Sequence, residues 1–249
     1  RNKAQFPIKK ANNEVKIGFF APRSHRIVDI DKCILQQNEC NDVILAMRKA
    51  IKKFNVSIYD EEAHSGILRH VIARKAKDGL MLIIVTNTHK KLSQDFINYL
   101  ASQLPNAKSI IQNVNTQKGN IILGNDCITL CGSDFVRDEM CGILFNLRPK
   151  AFLQINTKQT ENLYSRAAEL AQINKDDIVF DAYCGIGIMS LMLAKKCKKL
   201  IGVEIVPEAI ESAKEAAKIN NIDNAEFIVG ACENVLPDLI LKDQKPDVL

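Results

Sequence analysis

The chain has 249 residues, of which 47% are hydrophobic and 25% are charged, with eight cysteines and a formal net charge of +5. This composition is typical of one or two globular domains and excludes a disordered tail, a collagen-like fibre and a membrane-spanning protein. The longest apolar run, Leu80 to Val85, has six residues, whereas a bilayer-spanning helix needs roughly 20. The sequence begins without Met or a signal peptide and its last residues look like the start of a strand, so we expect a piece of a longer protein.

Charge is divided unevenly along the chain. Residues 1–150 carry 23 Lys and Arg against 14 Asp and Glu, a net charge of +9, whereas residues 151–249 carry 11 against 15, a net charge of −4. This asymmetry predicts two domains with different partners, and the basic part is a candidate surface for a polyanion. A positive surface that is merely solvated is the alternative interpretation.

The cysteine pattern indicates neither disulfides nor a zinc site. No two of the eight cysteines form a Cys-x-x-Cys pair, and their spacing matches no zinc template. A chain of this length does not need disulfides, and its first residues do not resemble a secretory signal. We therefore expect a cytoplasmic protein whose cysteines are mostly small buried hydrophobic residues.

The first 147 residues predict an α+β domain of short strands and two amphipathic helices. Apolar segments of strand length are separated by turn residues, and Lys77-Asp78-Gly79 is typical of a β-hairpin. Helices are predicted where apolar residues recur every three or four positions. In chain order, strands are predicted at 15–20, 26–31, 68–74, 80–86, 109–114, 120–123 and 127–131, and helices at 41–54 and 93–104.

The pattern changes near Arg148, where helices and strands begin to alternate. A capping box, Asn156 with Gln159 three residues later, predicts a helix that runs to about residue 172. Pro207 suits the first position of a later helix. Strands are predicted at 178–181, 200–204 and 225–229, and helices at 188–197 and from 207 to about 220. Strands that alternate with helices predict a parallel, doubly wound sheet over residues 148–249.

The segment from residue 178 to residue 204 carries the chemistry. Its first strand ends in Asp181, and a turn containing Gly185 and Gly187 leads into a helix. Glycines let a backbone turn sharply and approach a ligand closely, while a helix N-terminus contributes positive potential. Glu204 ends the next strand, where an acidic side chain accepts hydrogen bonds from ribose hydroxyls. These residues predict a site for a nucleoside cofactor at the end of a parallel sheet.

Two departures from the dinucleotide-binding fingerprint narrow the choice of cofactor. The third glycine of that fingerprint falls at Ser190, and the Asp181 carboxylate would repel a pyrophosphate. A carboxylate suits the ammonium group of S-adenosylmethionine, which is therefore favoured over a nicotinamide or flavin. Cys184, within the turn, is a candidate nucleophile, but no His or other base lies near it in sequence, so a packing role or a backbone role is favoured.

Several short motifs are similar to those of one enzyme family. They are Phe152-Leu-Gln154-Ile-Asn156, Asp181-Ala-Tyr183-Cys-Gly185-Ile-Gly187, Gly202-Val-Glu204, Arg1-Asn-Lys-Ala, Ile27-Val-Asp-Ile-Asp-Lys-Cys33 and Leu68-Arg69-His70. Through them, essentially the whole chain resembles the bacterial RNA uracil-5-methyltransferases, which make 5-methyluridine in ribosomal or transfer RNA. The resemblance implies a class I S-adenosylmethionine-dependent methyltransferase fold, with an incomplete Rossmann-like parallel sheet, preceded by an α+β central domain.

The resemblance also implies ligand contacts by position. Gln154, Tyr183 and Glu204 match the family's contacts with S-adenosylmethionine. Cys33 falls where the iron–sulfur members place the last of four ligands to a 4Fe–4S cluster, and the other three would precede Arg1. Since such a cluster takes four ligands, we expect Cys33 to be a free thiol in this chain.

The mechanism that the resemblance implies uses a nucleophile outside these residues. Carbon 5 of uracil is too weak a nucleophile to take a methyl group unaided, so a Cys thiolate adds to carbon 6. Carbon 5 then attacks the methyl group, and a base removes the carbon-5 proton. The family places this Cys and its base after the third parallel strand and beyond, and none of the eight cysteines matches that context. We expect no catalytic residue in this chain.

RNA is the expected partner of the basic part, with ribosomal RNA favoured over transfer RNA. Its phosphates are expected to contact Lys9, Lys10, Lys16, Arg23, Arg26 and Lys32. The target uridine must be flipped out or single-stranded to reach a thiolate. Two alternatives remain, a non-catalytic RNA-binding module that keeps the fold, and a methyltransferase that acts on a small molecule or a protein.

Overall fold

The computed structural model describes residues 1–12, 14–241 and 245–249. Within them the chain divides into two units. The first comprises Arg1–Val136 and Arg148–Lys150, and the second comprises Arg137–Leu147 and Ala151–Leu249. The sequence-based boundary at residue 148 differs in two respects, because it placed residues 137–147 in the first domain and residues 148–150 in the second.

A mixed sheet of seven strands forms the first unit, in the order β3-β2-β1-β4-β5-β6-β7. Helix α1 precedes β4, and helix α2 connects β5 to the parallel strand β6. The elements are β1 (Lys3–Ala11), β2 (Glu14–Phe20), β3 (Ile27–Asp29), α1 (Asn38–Phe54), β4 (Leu68–Lys75), β5 (Leu80–Thr86), α2 (Gln94–Gln103), β6 (Ala107–Val114) and β7 (Asp126–Gly132).

Strand β1 changes partner along its length. Residues 3–7 pair with β4 and residues 8–11 pair with β2, both antiparallel. The change occurs at Pro7, which has no backbone N–H to donate to a ladder. The sequence did not predict β1, because Pro7 and the pair Lys9-Lys10 interrupt its apolar alternation.

The core of the first unit lies between the sheet and its two helices. Val43 and Met47 of α1 and Phe96 of α2 belong to the same buried cluster as Leu82 and Ile84 of β5. All seven residues of β5 are buried, which is why this strand reads as a continuous apolar run in the sequence.

The strand predicted at residues 120–123 is wrong, because this segment is a loop. The Asn115 side-chain amide donates hydrogen bonds to the carbonyl oxygens of Ile121 (2.6 Å) and Ile122 (3.0 Å). The Gly124 N–H donates to Asn113 Oδ1 at 2.8 Å. Buried side-chain amides thus satisfy the backbone groups that a neighbouring strand would otherwise pair.

A three-stranded parallel sheet, in the order β10-β11-β12, forms the centre of the second unit. Strands and helices alternate as predicted. The elements are the hairpin β8 (Val136–Met140) and β9 (Ile143–Leu147), then α3 (Thr157–Leu170), β10 (Ile178–Asp181), α4 (Ile188–Ala194), β11 (Lys199–Glu204), α5 (Pro207–Ile219), β12 (Ala225–Val229) and α6 (Cys232–Leu241). Asn156 precedes α3 as expected, but its side chain makes no capping hydrogen bond, so the predicted capping box is wrong.

The last residues of the chain extend this sheet. Val248 forms a parallel bridge with Val179, and the Phe180 N–H donates to the Val248 carbonyl oxygen at 2.9 Å. Because the other edge of β10 is taken by β11, the order becomes Val248-β10-β11-β12.

Among the described residues, no helix combines the length and the hydrophobicity needed to cross a bilayer.

Hydrogen bonds to α5 and to Asn220, the residue that follows it, explain why residues 137–147 belong with the second unit. The Leu144 N–H donates to Asn220 Oδ1 at 3.0 Å, and Asn220 Nδ2 donates to the Leu144 carbonyl oxygen at 2.7 Å. Asn146 Nδ2 donates to Glu215 Oε1 at 2.9 Å. The hairpin was not predicted, since these partners lie about 70 residues away in sequence.

Gly202 is expected to be required for packing at the centre of the parallel sheet. A Cβ atom at this position would lie 2.7 Å from Phe227 Cδ1 and 3.0 Å from Cys184 Sγ. Gly202→Ala should therefore lower the free energy of unfolding in urea by about 1–3 kcal/mol. Phe227→Leu makes room, so the double variant should lose at least about 0.5 kcal/mol less than the sum of the single losses. Additive losses would contradict this explanation.

Candidate cofactor site

Two carboxylates meet at the carboxyl edge of the parallel sheet. Asp181 is the last residue of β10 and lies opposite Gly202 in β11. Glu204 is the last residue of β11, two positions further on. Parallel pairing therefore brings the two predicted acidic residues to one edge.

Asp181 is held by donors from the turn and from α4. Ser190 Oγ donates to Asp181 Oδ2 at 2.6 Å, and the Tyr183 N–H also donates to this carboxylate. Burial raises the pKa of Asp181, the two hydrogen bonds oppose that rise, and the negative charge of Glu204 adds to it. The balance leaves a desolvated carboxylate that gains most from a cationic partner.

Glu204 accepts hydrogen bonds through both oxygens. The Gly185 N–H donates to Oε2 at 3.2 Å, and the Val206 N–H donates to Oε1 at 3.0 Å. The side chain is half-buried. The carboxylate is thus positioned between the glycine turn and the start of α5, with lone pairs left for further donors.

The two predicted glycines are needed for different reasons. Both have positive φ, +54° at Gly185 and +78° at Gly187, a conformation that disfavours residues with a Cβ. A Cβ at Gly187 would lie 2.8 Å from the Ala213 Cβ, so this glycine allows close packing of α4. A Cβ at Gly185 would meet no atom within 4 Å, so space beside the turn is open to a ligand.

Cys184 has the packing role that the sequence favoured. It is buried, its N–H donates to the Val203 carbonyl oxygen at 3.0 Å, and its Sγ lies 3.7 Å from the Gly185 carbonyl oxygen. Burial, together with the charges of Asp181 and Glu204, raises the pKa of this thiol well above its usual range. A thiol that stays protonated is a poor nucleophile.

Tyr183 and Gln154 are exposed. Tyr183 is 81% exposed and lies in the turn between Asp181 and Gly185. Gln154 is in the extended segment before α3. Hydrogen bonds connect the Asp181 and Glu204 side chains with backbone N–H groups of the turn. Contacts of Gln154 and Tyr183 with a cofactor stay predictions.

Three features of this edge escaped the sequence analysis. Ser190 stands in the sequence where the dinucleotide fingerprint has a glycine, but its place in the first turn of α4 directs its hydroxyl to Asp181. Ile205 and Val206 directly follow Glu204 and are 66% and 46% exposed. Tyr164 of α3 is close enough for the Asp181 charge to raise its pKa, although burial contributes more.

Cys33 lies in the first unit and is half-buried. Its N–H donates to Asn41 Oδ1 at 3.0 Å, and Asn41 Nδ2 donates to the Cys33 carbonyl oxygen at 3.2 Å. No group of three or more His, Cys, Asp or Glu in the described ranges is arranged to hold a metal ion. The role of Cys33 as a cluster ligand stays a prediction.

Comparisons with known proteins identify the fold and the relatives. The family model described as "Methyltransferase domain" matches residues 173–249. The whole chain is 48% identical to an "uncharacterized RNA methyltransferase" of Clostridium tetani and 46% identical to one of Clostridium acetobutylicum. The chain spans 55% of the length of each of these relatives.

A solved structure covers both units. The Pyrococcus abyssi tRNA (uracil-54, C5)-methyltransferase in complex with S-adenosyl-L-homocysteine matches with a TM-score of 0.75 and 25% identity, over 93% of this chain and 55% of that one. These matches confirm the resemblance to RNA methyltransferases and the class I methyltransferase fold.

Thiol labelling tests the packing role of Cys184. Iodoacetamide at pH 8 should label the exposed Cys127 and Cys131 readily and leave Cys184 unmodified, because the latter is buried and its pKa is raised. Peptide mass spectrometry after timed labelling measures each site. All eight cysteines should react in urea. Fast labelling of native Cys184 would contradict the assignment.

Proposed function

We propose that this chain forms the S-adenosylmethionine-binding part of an RNA (uracil-5-)-methyltransferase. The observation that carries the proposal is the convergence of Asp181, Gly185 and Glu204 at one sheet edge, in a chain that matches RNA methyltransferases over its whole length. The activity, substrate and partners belong to the whole protein, of whose curated relatives this chain spans about half.

The residues at the sheet edge fit S-adenosylmethionine. Asp181 would hold the cationic end, because its desolvated carboxylate has the opposite charge. Glu204 would accept hydrogen bonds from the ribose hydroxyls. Ile205 and Val206 offer exposed apolar surface for the adenine, and Tyr183 supplies an exposed aromatic ring beside the turn. Gln154 would add an amide contact.

The methyl transfer itself requires a nucleophile beyond the residues at this edge. When bound, the cofactor supplies an electrophilic methyl group, and uracil needs a thiolate at carbon 6 before carbon 5 can accept it. Burial and neighbouring carboxylates raise the pKa values of both Cys184 and Cys232. We therefore assign the thiolate to the part of the relatives' length that this chain does not span.

RNA is the proposed substrate, and the first unit is its proposed binding surface. The six predicted phosphate-binding residues lie on β1 and β2, in the turn before β3, or just after β3. Lys9 and Lys16 are direct cross-strand partners whose like charges repel each other. Glu61 pairs with Lys9, whereas Lys16 makes no ion pair among the described residues. We favour a uridine in ribosomal RNA; transfer RNA is the second candidate, because the P. abyssi relative is named for it.

The remaining parts of the proposal concern the cell and the alternatives. All eight cysteines are free thiols in the structure, which suits the reducing cytoplasm. A non-catalytic RNA-binding module would keep the basic surface without transferring methyl groups. A methyltransferase of small molecules or proteins would transfer them without requiring RNA, so one transfer assay separates the three functions.

Transfer of tritiated methyl groups by the full-length protein tests the function. Unmodified ribosomal RNA should accept label at carbon 5 of uridine, and transfer RNA should accept less. Glu204→Ala should weaken binding of S-adenosylmethionine roughly tenfold to a hundredfold, since it removes a charged acceptor. Glu208→Ala, an exposed carboxylate in the first turn of α5, is the matched control and should bind normally. Absence of transfer to either RNA would refute the function.

The pH dependence of cofactor binding tests the role of Asp181. A cationic ligand needs the ionised carboxylate, so affinity should fall as pH decreases through the pKa of Asp181. Ser190→Ala removes a hydrogen bond that lowers this pKa, so the fall should begin at higher pH. Calorimetry over roughly pH 4–8 measures both profiles. Ser212→Ala, a buried serine bonded only to the Glu208 carbonyl oxygen among its described partners, should leave the profile unchanged. Superimposable profiles for Ser190→Ala and wild type would contradict the assignment.

A further inference from the structure

The first unit contains a large cavity that the cofactor site does not use. Its volume is about 840 Å³, and it opens beside β1 and β2, with walls from residues 22–25, Tyr59, Glu61 and residues 118–122. This volume lies within the range of small-molecule sites. We call it the Phe20 pocket, after the aromatic side chain that lines it together with Lys9, Arg23, His25, His70 and Lys118.

Phe20 presents an aromatic face in this pocket. It is the last residue of β2 and is 42% exposed. The His25 ring lies 5.7 Å from the Phe20 ring, and the His70 ring lies 6.4 Å from it in an edge-on arrangement. A partly exposed ring beside cationic groups suits a flat heterocycle, since nucleobases stack on aromatic side chains.

His70 supplies unused polar groups behind Phe20. Both of its ring nitrogens are buried and have no hydrogen-bond partner among the described residues. Burial, and then the positive charges of Arg69 and Lys9, lower the pKa of His70 to about 4. The ring is therefore neutral at physiological pH and carries one donor and one acceptor, neither of which is satisfied by a described residue.

The charges around the pocket favour an anion. Glu61 is the acidic residue of the lining, and it is paired with Lys9 at 2.6 Å and His25 at 3.0 Å. Arg23 and Lys118 make no ion pair within the described residues. Arg23 also has a positive φ of +57°, a strained conformation for a residue with a side chain, and it directs the chain around the pocket rim.

The walls of the pocket are held in place. Arg69 donates hydrogen bonds to the carbonyl oxygens of Asn115 (2.6 Å) and Gln117 (2.7 Å), just before Lys118. The Arg69 guanidinium also lies 4.4 Å from the centre of the Tyr59 ring. Together with the Asn115 bonds to Ile121 and Ile122, these contacts fix the loop that carries Lys118, so little order has to be gained on binding.

We propose that the Phe20 pocket binds one nucleotide of single-stranded RNA, with its base on Phe20 and against His70 and its phosphates on Arg23 and Lys118. The inference rests on the proposed RNA substrate and adds a defined nucleotide site to it. A patch of positive charge alone would need neither the exposed ring nor the unpartnered imidazole. The combination distinguishes a nucleotide from a simple polyanion.

Fluorescence anisotropy with the full-length protein tests the pocket. Two probes are used, a labelled ten-residue oligouridylate and inorganic polyphosphate as a competitor that offers charge without bases. Phe20→Leu should weaken oligouridylate binding roughly tenfold and leave competition by polyphosphate unchanged. Arg23→Gln and Lys118→Gln should weaken the binding of oligouridylate and of polyphosphate. Each should also reduce the salt dependence of RNA binding by about one counterion. His70→Phe should weaken only the oligonucleotide.

Matched controls lie on helix α1, which contributes no residue to the pocket lining. Lys52→Gln removes an exposed charge, and Leu45→Ala removes an exposed apolar side chain. Both should bind RNA as wild type does, and all variants should bind S-adenosylmethionine normally. If the wild-type protein binds and methylates RNA and Phe20→Leu binds RNA equally well, the proposed nucleotide site is wrong, whereas the proposed function stands. Equal losses for RNA and polyphosphate in Phe20→Leu would also overturn the nucleotide site. Failure of the wild-type protein to bind RNA would overturn both.

Discussion

The parallel pairing of β10 with β11 is the constraint on which the candidate cofactor site depends. It places Asp181 and Glu204 at one edge, where their charges repel each other. The arrangement is tolerated because N–H and hydroxyl donors from the turn and from α4 approach both carboxylates. Gly202 permits the close packing of β11, because Phe227 and Cys184 occupy the space that a side chain at this position would need. The close packing at Gly202 therefore belongs to the same strand that carries Glu204 to this edge.

In the first unit, the corresponding constraint is the change of partner along β1. Because β1 leaves β4 at Pro7 and continues with β2, Lys9 and Lys16 are brought opposite each other, and the turn after Phe20 follows directly. Acidic residues neutralise only part of the positive charge that results. Glu61 neutralises part of it through Lys9 and His25, and that pairing holds the pKa of Glu61 below its usual range. The remaining cations are available to a polyanion.

The sequence predicted those parts of the fold whose signals are local. Strand β10 and helix α5 begin where expected, because a short apolar run and a proline at the first helical position mark them. The loop at 120–123 and the hairpin before residue 148 were not predicted, because hydrogen bonds from Asn115 and Asn220 decide them and no local pattern reveals such partners. Asp181 and Glu204 were identified from strand ends. The contribution of Ser190 was missed, since it depends on how the glycine turn orients the first turn of α4.

Burial acts on Asp181 and on His70 in the same sense, and their neighbours produce different outcomes. Burial disfavours the charged form of each group. At Asp181, hydrogen bonds from Ser190 and Tyr183 oppose that effect and favour a carboxylate that attracts a cation. At His70, the cations Arg69 and Lys9 add to it, so the imidazole stays neutral and keeps both nitrogens for hydrogen bonding. One buried group therefore suits a cofactor with a cationic end, whereas the other suits the uncharged base that we propose for the Phe20 pocket. Hydrogen bonds at Asp181 and neighbouring cations at His70, rather than burial itself, separate the two ligand chemistries in one chain.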